Sequence, residues 1–353
     1  MSHYLSREFC RPMAGQRFVV RGEQYELGGH VGDGAVGLVR KATRLKDKAL
    51  QAVKFLAPDP KYIEESVFDD VSARFRREGE RGTNLRHPHL ITVYDYCHNA
   101  DGECFESDDP KNPFLLMEYV HGRPLENYIR KLASEQKKGV KEFNVTRRRL
   151  HIGIQIANAL DELHRMKLVH RDVKPANVFL SKMSREGNYP FAKLGDFGIV
   201  KWGDFHASLS TGMLTATNQR GLGTMKYMSP EQAIAPKDVT VRSDIYSFGI
   251  TLFELFTTQI LASPHHVFEV MNARLSRGTT TSRFHQMGYR LRDQDEHIAG
   301  ILLEMHLRGA SGRPTIDKVR GHLESEYERR YDSNWEDDLL ANVESRFEDS
   351  WDE

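Results

Sequence analysis

Apolar residues in the first third of the chain come in short runs broken by glycine, proline and charge. Phe18-Val19-Val20, Leu38-Val39, the stretch 50–56 (Leu-Gln-Ala-Val-Lys-Phe-Leu), Val93-Tyr94-Asp95-Tyr96 and the stretch 114–120 have strand length and predict strands. A charged segment around Arg74-Phe75-Arg76-Arg77-Glu78 predicts a helix between the third and fourth of these. Past Pro124 the period changes. Residues 125–133 and 145–166 predict helices, the second with Leu150, Ile154, Ala157 and Leu160 at helical spacing, and a strand is expected at 191–194. The most apolar window, 245–262, is interrupted by Ser247, Glu254, Thr257, Thr258 and Gln259, which favours a buried helix over a membrane span. Trp335, Leu339, Val343, Phe347 and Trp351 then recur at amphipathic spacing, with Leu340 alongside.

Composition adds bounds. With 353 residues, 39% hydrophobic and 28% charged, the chain can bury one large core or two modest ones. Its net charge is zero, but residues 332–353 hold nine acids against one arginine, a local −8, so the preceding residues carry +8. That excess is spread out, so no nucleic-acid stripe is expected. Cys10, Cys97 and Cys104 suggest neither a disulfide framework nor a zinc knuckle, and a reduced, cytoplasmic setting follows. No charged-then-apolar leader pattern opens the chain, and no membrane association is expected.

The chemistry is concentrated in 169–178, Val-His-Arg-Asp-Val-Lys-Pro-Ala-Asn-Val. A carboxylate, an ammonium and a carboxamide within six residues can deprotonate a hydroxyl, neutralise a phosphate and ligate a divalent cation, which is phosphoryl-transfer chemistry. The segment resembles the catalytic loop of eukaryotic-type (Hanks-type) protein kinases, and Lys174 resembles the serine/threonine branch. The resemblance implies an α+β, two-lobed fold: a small antiparallel sheet with one helix, and a larger helical lobe. It also implies ATP and Mg²⁺ as cofactors. Asp172 would be the base, Lys174 would stabilise the γ-phosphoryl, and Asn177 would ligate one metal ion. Gly195-Asp196-Phe197-Gly198, with its aspartate nineteen residues after Asn177, resembles the metal-binding DFG motif, with Asp196 on Mg²⁺.

Upstream, Gly32-Asp33-Gly34-Ala35-Val36-Gly37 is a glycine-rich turn whose backbone could approach phosphates closely. A strand follows it, which argues against a dinucleotide fold, where a helix would stand there. Val36 replaces a residue often aromatic in the family. Val39, Ala52, Met117 as gatekeeper, and the backbone from Glu118 to Val120 would surround the adenine. Lys54, fifteen residues after Val39, would pair with the nucleotide phosphates and with Glu78; Glu80 nearby leaves the choice of partner open. Gly79 and Gly82 would each cost about 1 kcal/mol inside a helix. The expectation is a loosely held helix that a partner, nucleotide or phosphorylation must seat.

Further matches follow in order. Thr224 and Glu231, in Gly-Thr-Met-Lys-Tyr-Met-Ser-Pro-Glu, resemble the end of an activation segment, and that peptide-positioning stretch argues against a small-molecule kinase. Asp244 would steady the catalytic-loop backbone or merely cap a helix. Arg313 would pair with Glu231 or be a surface charge. Arg171 is a cation suited to an activation-loop phosphate, with Thr215 and Thr217 the leading sites for autophosphorylation in trans. Sequence style resembles bacterial members. The expected organisation is an extension at 1–24, a small lobe at 25–117, a hinge at 118–124, a large lobe at 125–331 and an acidic tail at 332–353, which would dock on the chain's own body or on a regulatory partner. Protein substrates with Ser or Thr follow from the resemblance. The rival reading is a pseudokinase scaffold that binds nucleotide without turnover.

Overall fold

The computed structural model describes residues 13–33, 37–57, 68–98, 104, 112–139, 145–181, 189–196, 226–234, 239–259, 295–306 and 309–338. The chain divides into two compact units, Met1–Tyr119 and Val120–Glu353.

Among the described residues the first unit is an antiparallel sheet with one helix. Strands β1 (Arg17–Val20), β2 (Glu23–Asp33), β3 (Gly37–Arg44), β4 (Leu50–Leu56), β5 (Val93–Cys97) and β6 (Phe114–Glu118) run in the order β1-β2-β3-β4-β6-β5. Alternation along each strand puts Phe18, Tyr25, Leu27, Phe55 and Phe114 into one core. Phe18 stacks on Tyr25 at 5.1 Å and meets Phe114 edge-on at 5.5 Å. Residues expected to precede the lobe therefore belong to it: β1 pairs with β2 and supplies a fully buried phenylalanine.

Two expectations change here. Cys97 and Cys104 are joined by a disulfide, although the cysteine spacing suggested no framework. Both cysteines lie against the aromatic core, and Cys104 is also tied to β1 by the Val19 N–H, which donates to its carbonyl at 2.7 Å. Helix α1 (Phe68–Gly82) is closely seated, where a loose helix was expected. A Cβ on Gly79 would stand 2.6 Å from Tyr96 and 2.7 Å from Leu115, and one on Gly82 2.9 Å from Val93. The glycines let the helix backbone approach β5 and β6 more closely than any side chain would allow.

The second unit is mostly helical. A small sheet, β7 (Gly122–Pro124), β8 (Val178–Ser181) and β9 (Ala192–Leu194), runs antiparallel in that order. Helices α2 (Leu125–Lys137), α3 (Val145–Arg165), α4 (Pro230–Ile234), α5 (Val241–Thr257), α6 (Glu296–Met305) and α7 (Ile316–Tyr331) are numbered among the described residues. Helix α5 is buried all round from Ser243 to Thr257, which is why its sequence shows a continuous apolar run and no stripe. Its start is capped by the Thr240 side chain, which accepts from the Arg242 N–H, and Thr258 closes it in the left-handed region at φ 59°. Among the described residues no helix is long and apolar enough to cross a membrane.

Candidate active site

In the first unit Lys54 points from β4 to α1, and its Nζ lies 3.0 Å from Glu78 Oε1. Both side chains are largely buried. Glu80, the other candidate partner, is exposed and lies 3.6 Å from Arg76. Ala52 sits opposite Met117, and Gly32 opposite Val39. Gly37 stands where a Cβ would meet the Phe55 carbonyl at 2.4 Å, so only glycine fits. Gly34, Ala35 and Val36 lie outside the described residues. The Glu118 N–H donates to the Thr92 carbonyl at 2.8 Å, which removes it from the groups offered to an adenine. Val120 begins the second unit.

In the second unit the loop after α3 carries Asp172, buried to 4% exposure. Lys174 Nζ lies 3.0 Å from Asp172 Oδ2. Asn177 donates both to the Asp172 carbonyl, at 2.8 Å, and to its Oδ2, at 2.7 Å. The loop hangs on Asp244 of α5, which accepts the N–H groups of His170 and Arg171, each at 2.8 Å, and contacts His164 Nε2 at 2.9 Å. Asp244 is therefore no helix cap; Thr240 has that place.

His170 ties this loop to the Asp196 segment. Its Nδ1 accepts the Asp172 N–H at 3.3 Å, so its Nε2 carries the proton and donates to the Gly195 carbonyl at 3.1 Å. Burial pushes this imidazole below its ordinary range and keeps it neutral. The Gly195 N–H in turn donates to the Asn177 carbonyl at 2.9 Å. Arg171 and Asp196 both adopt positive φ, 66° and 51°, a conformation that side chains other than glycine pay for in sterics. Two such residues, one next to Asp172 and one after Gly195, mark a backbone held by its surroundings.

Glu231 and Arg313 form a bidentate pair at 2.6 and 2.9 Å, and Ser243 adds a third bond to Glu231 at 2.6 Å. Arg313 is 2% exposed, so it is no surface charge. Burial raises the Glu231 carboxyl, but the guanidinium and hydroxyl outweigh it and hold the pKa below its usual value. Gln232 donates to the Arg171 carbonyl at 2.9 Å and completes the clasp on the loop. Phe197, Thr215, Thr217 and Thr224 lie outside the described residues.

The residues fit a hard divalent cation. Asn177 spends its amide nitrogen on Asp172, which turns its carbonyl oxygen away from that residue, and Asp196 is an exposed carboxylate; Mg²⁺ prefers such oxygens and keeps waters for the rest. Sequence reasoning assigned no role to His164, His170 or Gln232. Only His170 carried a signal, its place within the loop motif.

The model of the protein kinase domain matches residues 25–323. The chain belongs to the protein kinase family. This kinase is 36% identical over 242 residues to a probable serine/threonine-protein kinase of Streptomyces coelicolor, covering 67% of this chain and 31% of the relative. It is 34% identical to serine/threonine-protein kinase PrkC of Bacillus subtilis, with 67% of this chain and 31% of that protein covered. The matched region thus spans about a third of these relatives. The PknI kinase domain of Mycobacterium tuberculosis superposes with a TM-score of 0.60 at 22% identity, over 90% of this kinase and 100% of that chain, which supports the fold alone.

Proposed function

We propose that this kinase transfers the γ-phosphoryl of ATP to serine or threonine hydroxyls of proteins in the cytoplasm, where ATP is available. The observation that carries the reading is the Asp172 carboxylate, fixed by Lys174 at 3.0 Å and Asn177 at 2.7 Å on a loop anchored to Asp244. Asp172 accepts the proton of the incoming hydroxyl, and Lys174 neutralises charge on the transferred phosphoryl. Lys54, held by Glu78, grips the nucleotide phosphates. Asn177 and Asp196 would hold Mg²⁺, which when bound offsets phosphate charge. Autophosphorylation in trans at Thr215 or Thr217 is part of the proposal.

Purified chain incubated with radiolabelled ATP, Mg²⁺ and a generic Ser/Thr substrate is expected to label both itself and the substrate. Lys54→Met and Asp172→Asn should abolish both signals. Absent label with retained nucleotide binding would sink the reading and leave a scaffold.

A further inference from the structure

Residues 332–338 lie beyond the matched span, which ends at 323, yet they are built into the large unit. Trp335 is 6% exposed and begins a helical turn at 335–338. Arg147 of α3 reaches this turn, donating to Asp338 at 2.5 Å and Ser333 at 3.0 Å, and also to the Tyr327 hydroxyl of α7 at 2.7 Å. The Tyr327 hydroxyl donates to Asp338.

That assignment fixes the next group. Tyr327 has one proton, given to Asp338, so His151 Nε2, 2.9 Å from its oxygen, must be the donor. His151 is then a neutral, fully buried ring in a single tautomer. One face stacks on Tyr189 at 4.1 Å and 20°, while Trp335 lies edge-on to it at 6.3 Å. One turn further along α3, Gln155 donates to the Pro190 carbonyl at 3.1 Å and accepts the Ala192 N–H at 2.7 Å. Tyr189, Pro190 and Ala192 lead into β9, whose end at Leu194 is followed by Gly195 and Asp196.

We infer that the turn at 335–338 is a positioning element for Asp196: Asp338 and Trp335 fix Arg147, Tyr327 and His151, and these with Gln155 set the strand that delivers the metal-binding carboxylate. This rests on the reading of Asp196 as a metal ligand. The segment is thus a strut of the active site, with Asp338 as the acid that serves Arg147.

The test uses the full chain and compares wild type with Asp338→Asn, Asp338→Glu and exposed Glu336→Gln. Two quantities are read: Mn²⁺ affinity in the presence of ATP, by electron paramagnetic resonance, and hydrogen exchange of 189–194 against α5. Asp338→Asn is expected to weaken Mn²⁺ binding about fivefold and speed exchange of 189–194 selectively, with Asp338→Glu restoring both and Glu336→Gln inert. Unchanged affinity, or exchange raised uniformly through the large unit, overturns the inference by making the turn ordinary docking. A wild type that binds no Mn²⁺ with ATP overturns the kinase reading and this inference together, before any variant is compared.

Discussion

Helices α1 and α5 each carry a carboxylate of the candidate site, Glu78 and Asp244, and they are held in opposite ways. Helix α1 offers one face to the sheet, and its seat is set by two side chains that are missing, at Gly79 and Gly82. Helix α5 is wrapped on all sides, and its Asp244 is pinned by two backbone N–H groups and a histidine. Glu78 is therefore placed by distance, and Asp244 by directed bonds. The first kind of placement fails when volume is added, the second when an acceptor is removed.

The largest effect should come from removing that acceptor. Asp244→Ala strands two backbone N–H groups, each worth about 1–3 kcal/mol when unsatisfied. Urea denaturation should show a loss of about 3–5 kcal/mol, and turnover should fall about a hundredfold from misplacement of Asp172. Near-normal turnover would break the claim that α5 positions the loop.

Burial of neutral groups in the large unit gives the next effect. The His151 pKa is pushed down from 6.5 to about 4 by burial, which Asp338 only partly opposes. As pH falls below 6.5 the unfolded chain takes this proton first, so stability drops until about pH 4, where the folded ring is protonated too. The full change is about 3 kcal/mol. Thermal melts across that window should show the slope, and His151→Gln should flatten it. Carboxylates such as Glu231, lowered by Arg313, lose their share only at more acid pH.

Adding volume sharpens the comparison from the other side. Gly79→Ala gains about 1 kcal/mol of helix propensity but must displace Tyr96 and Leu115, for a net loss of about 2 kcal/mol and a raised KM for ATP as Glu78 moves from Lys54. Gly321→Ala in α7, where nothing lies within 4 Å, should instead stabilise by about 1 kcal/mol. Equal signs for the two in thermal melts would remove the close-approach argument. Smallest of all, Glu80→Gln should change stability by about 0.5 kcal/mol or less and leave activity intact, because its pair with Arg76 is exposed.

Most of the site was legible because its residues sit close together in sequence or in a fixed order. Asp172, Lys174 and Asn177 share one loop, and the strand at 50–56 announced Lys54. What the sequence hid was contact across distance. Nothing near His164 marks it as a partner of Asp244, eighty residues away. The glycines of α1 read as weakness because propensity counts only the helix itself, whereas the sheet beneath decides their effect. The Cys97–Cys104 link was invisible because it depends on both sulfurs facing one aromatic core. The amphipathic tail was recognised, but only its beginning, to Asp338, falls among the described residues, and there it rests on the chain's own body.

Strand β1 bears on how this protein should be cut for expression. The family match begins at residue 25, after Arg17–Val20. A recombinant fragment trimmed to the match would lose Phe18, taking from Tyr25 its stacked ring and from Phe114 its edge-on partner, with Phe55 still against Phe114. It would also strip the hydrogen-bonded cover from β2, leaving a bare sheet edge open to pairing with other chains. Sequence similarity and folding draw this kinase's boundary at different residues, and a soluble fragment must follow the second.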